Sequence, residues 1–356
     1  MHQTQNAPRQ DTQFSRRAFI AAAGALGLSL SAGGVFARQP SRSRNQPAEQ
    51  PAPPAPVAPG YFAWAQLAER ALFIPGDGGN ALLLHSPRLD SCILVDAKMP
   101  YIGATLRREV EARGGTIDSL INTHHHLDHI GGNFAFTSDV RTIAHAKAKA
   151  RVAEQLDRLK QTIKNGARSI NASDSPEKET ALKEVEALAA AADTMTAEQW
   201  MPTQTFSGQM GAANLGTMPV DLHHVGPGHT DNDVIVHAPQ LSVMHMGDLL
   251  FHNLHPFIDR DAGASVKDWI KSLKYAKRLC KPGTIVVPGH GDPTDITGLD
   301  GMIEYFETSM SFVEKQIRLK KTREEVVAMT VPGTESRGFP HMKERALGAM
   351  YDEAKG

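Results

Sequence analysis

The chain has 356 residues, 41% of them hydrophobic and 22% charged, which is ordinary globular composition with more apolar material than one small domain needs. A formal net charge of -1 and a pI near 7.0 exclude a global field that would gather nucleic acid or an anionic membrane. Two cysteines, Cys92 and Cys280, are too few for a disulfide framework, and two separate buried thiols are expected in preference to a single bridge.

Residues 1–37 read as an address. Ser15-Arg16-Arg17-Ala18-Phe19-Ile20 is similar to the twin-arginine export signal, and the Gly- and Ala-rich apolar region that follows is marginal for a membrane span. Val35-Phe36-Ala37 offers small residues at the spacing a signal peptidase reads. The mature protein is therefore expected in the periplasm or outside the cell, meeting a membrane only during export. Residues 38–60, with Pro51-Ala52-Pro53-Pro54-Ala55-Pro56, form a Pro-rich linker that cannot build a core. One folded domain is expected over residues 61–356.

Residues 80–84 and 91–95 read as strands around the turn residues Pro87 to Asp90, the second ending at Asp96. Ile102, Leu106 and Val110 recur at helical spacing, and Gly114-Gly115 stops that helix. The alternating run 116–123 is apolar enough to be a buried strand. It delivers Asn122-Thr123-His124-His125-His126-Leu127-Asp128-His129-Ile130-Gly131-Gly132-Asn133, four histidines and an aspartate just past a strand's carboxyl end. Imidazole and carboxylate are the ligands that borderline divalent metals prefer, so a metal site is expected there.

Residues 146–193 change character. Val152, Leu156, Leu159 and Ile163 make one helical stripe and Leu182, Val185 and Leu188 another, with Ser175-Pro176 as an N-cap pair between them, so a helical hairpin is expected as an insertion. Strands return at 218–225, 233–238, 241–246 and 284–287, three of them followed at once by His229, Asp248 or His290. Ser265 and Asp268 cap an amphipathic helix running to Cys280. Met302, Phe306, Met310, Val313 and Ile317 stripe a later helix, read as core and not as a cofactor box, and Thr322 with Glu325 caps another.

The motifs in order carry a resemblance. His124, His126, Asp128 and His129 match the H-x-H-x-D-H signature of the metallo-β-lactamase superfamily. Gly226-Pro227-Gly228-His229-Thr230, Met246-Gly247-Asp248-Leu249 and Val287-Pro288-Gly289-His290-Gly291 are similar to its next metal-binding segments. The resemblance implies an α+β fold, a four-layer αββα sandwich. It also implies two zinc ions, with iron or manganese second choices: one held by His124, His126 and His229, the other by Asp128, His129 and His290, and Asp248 bridging. Such a pair shares a hydroxide whose pKa is drawn down towards about 7, and Asp128 would orient this nucleophile.

The implied activity is hydrolysis of an ester, thioester, lactone or amide in a small molecule, a β-lactam included. The alternatives are a mononuclear iron sulfur dioxygenase and an exported metal-binding protein without catalysis. Leu249, Leu250 and Phe251 stand where cysteine-ligand β-lactamases need a lysine clamp shortly after the third segment, so that clamp is absent. His125 is assigned a supporting role outside the ligand set. His252 and His255 are candidates for the pocket wall, and His85, His237 and His341 are read as surface or satisfied core residues.

Overall fold

A computed structural model describes residues 60–356; the export-like segment and the linker up to residue 59 lie outside the described residues. Four short strands, β1 (Ala65–Ala68), β2 (Ala71–Ile74), β3 (Ala81–His85) and β4 (Ser91–Val95), form an antiparallel meander. Helix α1 (Gly103–Gly114) crosses over to β5 (Thr116–Ile121), which pairs parallel with β4. Gly115, at φ 69, supplies the left-handed turn that ends α1, a conformation open to glycine because it lacks a Cβ. The strands β6 (Arg141–His145) and β7 (Gln204–Phe206) complete a seven-stranded sheet in chain order.

The second sheet has the order β12-β11-β10-β9-β8, made of β8 (Met210–Leu215), β9 (Met218–His223), β10 (Ile235–Ala238), β11 (Val243–His245) and β12 (Ile285–Val287). The two inner faces meet through β-branched and leucine side chains at alternate positions. Leu82, Leu84, Ile93, Val95 and Ile121 pack on Val220, Leu222, Val236 and Val243, all essentially without solvent contact. Full burial of each such side chain contributes about 1.5–3 kcal/mol. The outer face of the first sheet is covered by α1, with Leu83, Leu94 and Leu120 under Leu106 and Val110. The outer face of the second is covered by α6 (Val266–Leu279), α7 (Ile296–Arg318) and α9 (Lys343–Lys355). The result is the αββα sandwich.

Between β6 and β7 the chain forms three helices, α3 (Ala146–Ala153), α4 (Leu156–Asn171) and α5 (Lys178–Ala191), where the sequence suggested two. The pair α4 and α5 forms the hairpin, and the eight-residue α3 precedes it; α3 and α4 pack against α2 (Leu127–Ile130). These helices are part of the core. Val152, Leu159 and Ile163 pack with Leu127, Ile130 and Trp200, while Ile170, Ala181 and Val185 join the cluster over α1. The Ser175 hydroxyl accepts from the Glu177 amide, but Pro176 and Glu177 form a turn and α5 starts only at Lys178.

The Ser265 hydroxyl accepts from the Asp268 amide at the start of α6, and Glu353 of α9 adds acceptors for the Val266 and Lys267 amides. Thr322 and Glu325 form the expected capping box on α8 (Arg323–Val327). Met302, Phe306, Met310 and Val313 of α7 are buried core and Ile317 packs against it half-buried. Both cysteines are free, and Cys280 is half-buried where two buried thiols were expected. Burial pushes the Cys92 thiol up to about 12. Among the described residues no helix is long and apolar enough to cross a membrane.

Candidate metal centre

The loop after β5 is clamped at its base. Asn122 and Asn133 exchange side-chain amide hydrogen bonds of 3.1 and 2.8 Å, and the Trp200 indole donates to the Gly131 carbonyl at 2.7 Å. Asp96, past the end of β4, accepts from the Thr123 amide (2.8 Å), the Thr123 hydroxyl (2.7 Å) and Nδ1 of His129 (2.7 Å). Asp96 and Lys98 both hold left-handed backbone, φ 63 and 64, so this corner keeps a costly conformation that its hydrogen bonds enforce. Nζ of Lys98 donates to the carbonyls of Ile74, Gly76 and Gly79, fixing the β2–β3 turn against the loop. A Cβ on Gly79 would lie 2.1 Å from Cε1 of His129, so only glycine allows that approach.

Three further segments converge on this loop. His229 follows β9, and its Nδ1 bonds the Phe257 carbonyl at 2.8 Å. Asp248 sits in the single turn after β11, where the Trp269 indole holds the Leu249 carbonyl at 2.9 Å. His290 follows β12 in a loop that Asn80 fixes, its amide and side chain donating to Gly289, Pro288 and Gly291 carbonyls. A Cβ on Gly289 would lie 2.0 Å from Oδ1 of Asp248, which explains the glycine beside this carboxylate.

Two donor groups meet at Asp248, and a third, His125, His126 and Asp259, shares His126 with the first of them. Ligand atoms of His124, His126, His229 and Asp248 lie within 4.8 Å of one another, and so do those of Asp128, His129 and His290. Asp248 reaches both: Oδ1 is 3.0 Å from Nε2 of His129, and Oδ2 is 3.4 Å from Nε2 of His229 and 3.5 Å from Nε2 of His290. Oδ2 of Asp128 lies 3.2 Å from Nε2 of His290. All seven residues named from the sequence are thus brought together.

The hydrogen bonds around the rim assign the tautomers. Nε2 of His126 donates to Asp259 (2.7 Å), Nδ1 of His229 to a carbonyl and Nδ1 of His129 to Asp96, because those partners only accept. The inward nitrogens of His126 and His229 are therefore lone pairs, while Nε2 of His129 faces the Asp248 carboxylate. Nδ1 of His126 and Nε2 of His229 face each other at 2.8 Å, an arrangement in which two lone pairs need a cation between them. Nε2 of His124 is buried with no hydrogen-bond partner, and Nε2 of His129 and Oδ1 of Asp248 are buried with only each other, at 3.0 Å. A cluster of buried acceptors with outward protons committed fits divalent ions, with nitrogen and oxygen ligands of the type zinc takes.

Charge follows the same geometry. Burial holds His124 well below the usual imidazole range and His229 down at about 3. Burial also opposes charge on His129 and His290, but the Asp248 carboxylate, with Asp128, outweighs it and raises His290 to about 9. Burial likewise works against Asp128 and Asp248, yet the facing imidazoles hold both below the usual carboxylate range, so both are ionised acceptors. Asp233, buried and accepting from the Thr230 amide and hydroxyl, is raised by burial to about 8 and orients the residue after His229.

A model of the metallo-beta-lactamase superfamily matches residues 74–290, the span that contains every one of these segments. The chain belongs to the metallo-beta-lactamase superfamily. Among curated members it is 32% identical over 79 residues to the metallo-beta-lactamase type 2 of Bacteroides fragilis, covering 22% of this chain and 32% of that protein. It is 34% identical over 89 residues to the hydroxyacylglutathione hydrolase of Thermosynechococcus vestitus, covering 22% and 31%. The matched stretch thus spans about a third of these relatives' length. Among solved structures of the superfamily, the DIM-1 metallo-beta-lactamase superposes with a TM-score of 0.50 at 17% identity, over 70% of this chain and 98% of that one. The metallo-beta-lactamase from Pontibacter korlensis gives 0.50 at 16% over 69% and 99%, so the superfamily's fold extends beyond the stretch of sequence similarity.

The residues that sequence reasoning missed are the partners. Asp259 holds His126 from 133 positions away, and no local motif marks it. Asp96 was visible only as the end of a strand. His125 stands at the cleft wall outside both donor groups that share Asp248, its Nδ1 paired with the Asn232 side chain at 3.0 Å. His252 and His255 do not line the cleft. His252 turns to the Asp292 carbonyl beside a smaller cavity of about 260 Å³, and His255 is buried against the Tyr305 hydroxyl.

Proposed function

We propose that this chain is an exported dinuclear zinc hydrolase that cleaves an ester, thioester, lactone or amide in a small amphipathic molecule. The observation that carries the reading is the Asp248 carboxylate standing between two groups of imidazole and carboxylate donors, with the outer nitrogens of His126, His129 and His229 already committed to acceptors. His124, His126 and His229 would hold one ion, Asp128, His129 and His290 the other, and Asp248 both. When bound, such a pair would supply a hydroxide nucleophile at neutral pH and polarise the scissile carbonyl.

The chain's own residues do the rest. Asp128, ionised and at the cleft wall, accepts a hydrogen bond from the nucleophile and fixes its direction of attack. Asp259 and the Phe257 carbonyl keep His126 and His229 in the tautomers that present lone pairs inward. No serine or cysteine nucleophile is required. The cleft in front has a volume of about 650 Å³ and is walled by Phe251, Phe257, Phe339 and Met342, with Arg158 and Arg345 at its sides. Arg345 lies over the Phe257 ring at 4.6 Å. Apolar walls with guanidinium groups suit a substrate with an apolar body and an anionic group.

Export is supported by Ser15-Arg16-Arg17-Ala18-Phe19-Ile20 and the apolar stretch after it. The relatives' names put a β-lactam amide and an acylglutathione thioester among the bonds to try. The test is a panel of chromogenic esters, thioesters, lactones and cephalosporins, run before and after chelation. The expected result is hydrolysis of at least one class, lost on chelation and restored by zinc. Hydrolysis indifferent to chelation, or none from fully metallated protein, would overturn the reading.

A further inference from the structure

We propose that Asp221, His223 and His237 form a separate site for a borderline divalent ion such as zinc, on the outer face of the second sheet. Strand alternation builds it. Val220 and Leu222 of β9 and Val236 of β10 point into the inter-sheet core, so Asp221, His223 and His237 point the other way. The register places Asp221 directly opposite His237 and His223 opposite Ile235, two positions along. Three side chains on one face of an antiparallel pair at those positions are neighbours. Their ligand atoms lie within 4.8 Å of one another. Donors bound to one zinc at about 2.0–2.2 Å stand roughly 3.3 Å apart, so small side-chain rotations close the site.

Apart from one contact of His223, the side chains lack other employment. His223 is 5% exposed and His237 8%, and burial lowers both imidazoles, keeping them neutral ligands at pH 7. Nε2 of His223 is buried without a hydrogen-bond partner. Among the described residues, the Asp221 carboxylate and both His237 nitrogens have no hydrogen bond or ion pair, and Lys281 is the nearby cation whose charge acts on His237. Nδ1 of His223 lies 3.0 Å from the Tyr275 hydroxyl of α6. With its proton on Nδ1 donated to that oxygen, His223 presents the Nε2 lone pair, the arrangement by which outer partners orient a ligating histidine. Asp221 is half-buried, which leaves a path for the ion and a fourth position for water.

None of the three lines the cleft. They sit on β9 and β10, so an ion here ties these two strands together. Its role is a clamp, independent of hydrolysis.

The test uses the full chain with its cleft loaded, titrated with zinc and followed by elemental analysis and thermal unfolding. Wild type should take up one further equivalent and gain in Tm, while the Asp221→Asn/His237→Gln double variant should do neither and keep wild-type turnover. Tyr275→Phe should weaken that extra equivalent by roughly 10–100-fold without abolishing it. If the double variant does not fold, His237→Gln alone decides by the same criteria. Equal zinc uptake and equal Tm gain in wild type and variant would overturn the proposal.

Discussion

His124, His126, His129 and His229 each have the outer nitrogen, not the inner one, as the point where the fold acts on them. Asp259 stands outside the seven residues around Asp248, yet it sets the tautomer of His126. Asp259→Ala should leave the fold intact and weaken metal affinity by roughly 10–100-fold, measured by competition with a chromophoric chelator. Unchanged affinity would mean that His126 needs no orienting partner. At this scale the ligands were legible and their partners were not. The four histidines and aspartate of 124–129 are contiguous, so their chemistry is visible in a single glance at the sequence. The carboxylates that hold them are supplied by pairing across the fold. The Asp221, His223 and His237 cluster was equally hidden, because it exists only once Asp221 is set opposite His237.

Among the elements, those with a strong period or cap could be read directly: α6 from Ser265 and Asp268, α7 from its apolar stripe, and β3, β4 and β5 from buried β-branched and leucine runs. The strands that could not be read are short, edge-like or poor in β-branched residues. β1 is Ala-Gln-Leu-Ala, β7 has three residues and two of them exposed, and β8 is Met-Gly-Ala-Ala-Asn-Leu, so pairing and not propensity makes them strands. The helices α3 to α5 were legible as helices, but their depth was not. Leu159, without solvent contact and packed with Leu127 and Trp200, should cost about 2–5 kcal/mol on Leu159→Ala, read as a lower urea midpoint at unchanged slope. A neutral result would make the insertion a detachable lid. The β2–β3 turn offers a pH test. Burial pulls Lys98 down to about 7, against the attraction of Asp77, Asp96 and Asp128. Above that value the unfolded chain, with a lysine near its ordinary 10.4, binds a proton the folded chain lacks. Stability from this group is therefore full above about 10.4, falls as pH drops towards 7, and has a slope of at most about 1.4 kcal/mol per pH unit. Metal-free wild type should rise in stability between about pH 7.5 and 9.5 more steeply than Lys98→Met. Parallel curves would mean that the carbonyls of Ile74, Gly76 and Gly79 keep the ammonium charged.

For the whole molecule, the proposed route out of the cytoplasm and the proposed chemistry are linked, since twin-arginine export carries proteins already folded and so already metallated. Replacing Arg16 and Arg17 by lysine should leave the precursor in the cytoplasm, because recognition needs the guanidinium pair and not positive charge alone. A processed Lys-Lys variant in the periplasmic fraction would rule this route out. The central claim is that Asp248 joins two ions into one hydrolytic centre, and the most direct measurement is elemental analysis beside kcat for wild type and Asp248→Ala. The variant should carry one divalent ion fewer per chain, and turnover should fall by several orders of magnitude, as the shared nucleophile loses one of the two ions that activate it. Wild-type metal content with near-normal turnover in Asp248→Ala would contradict the account.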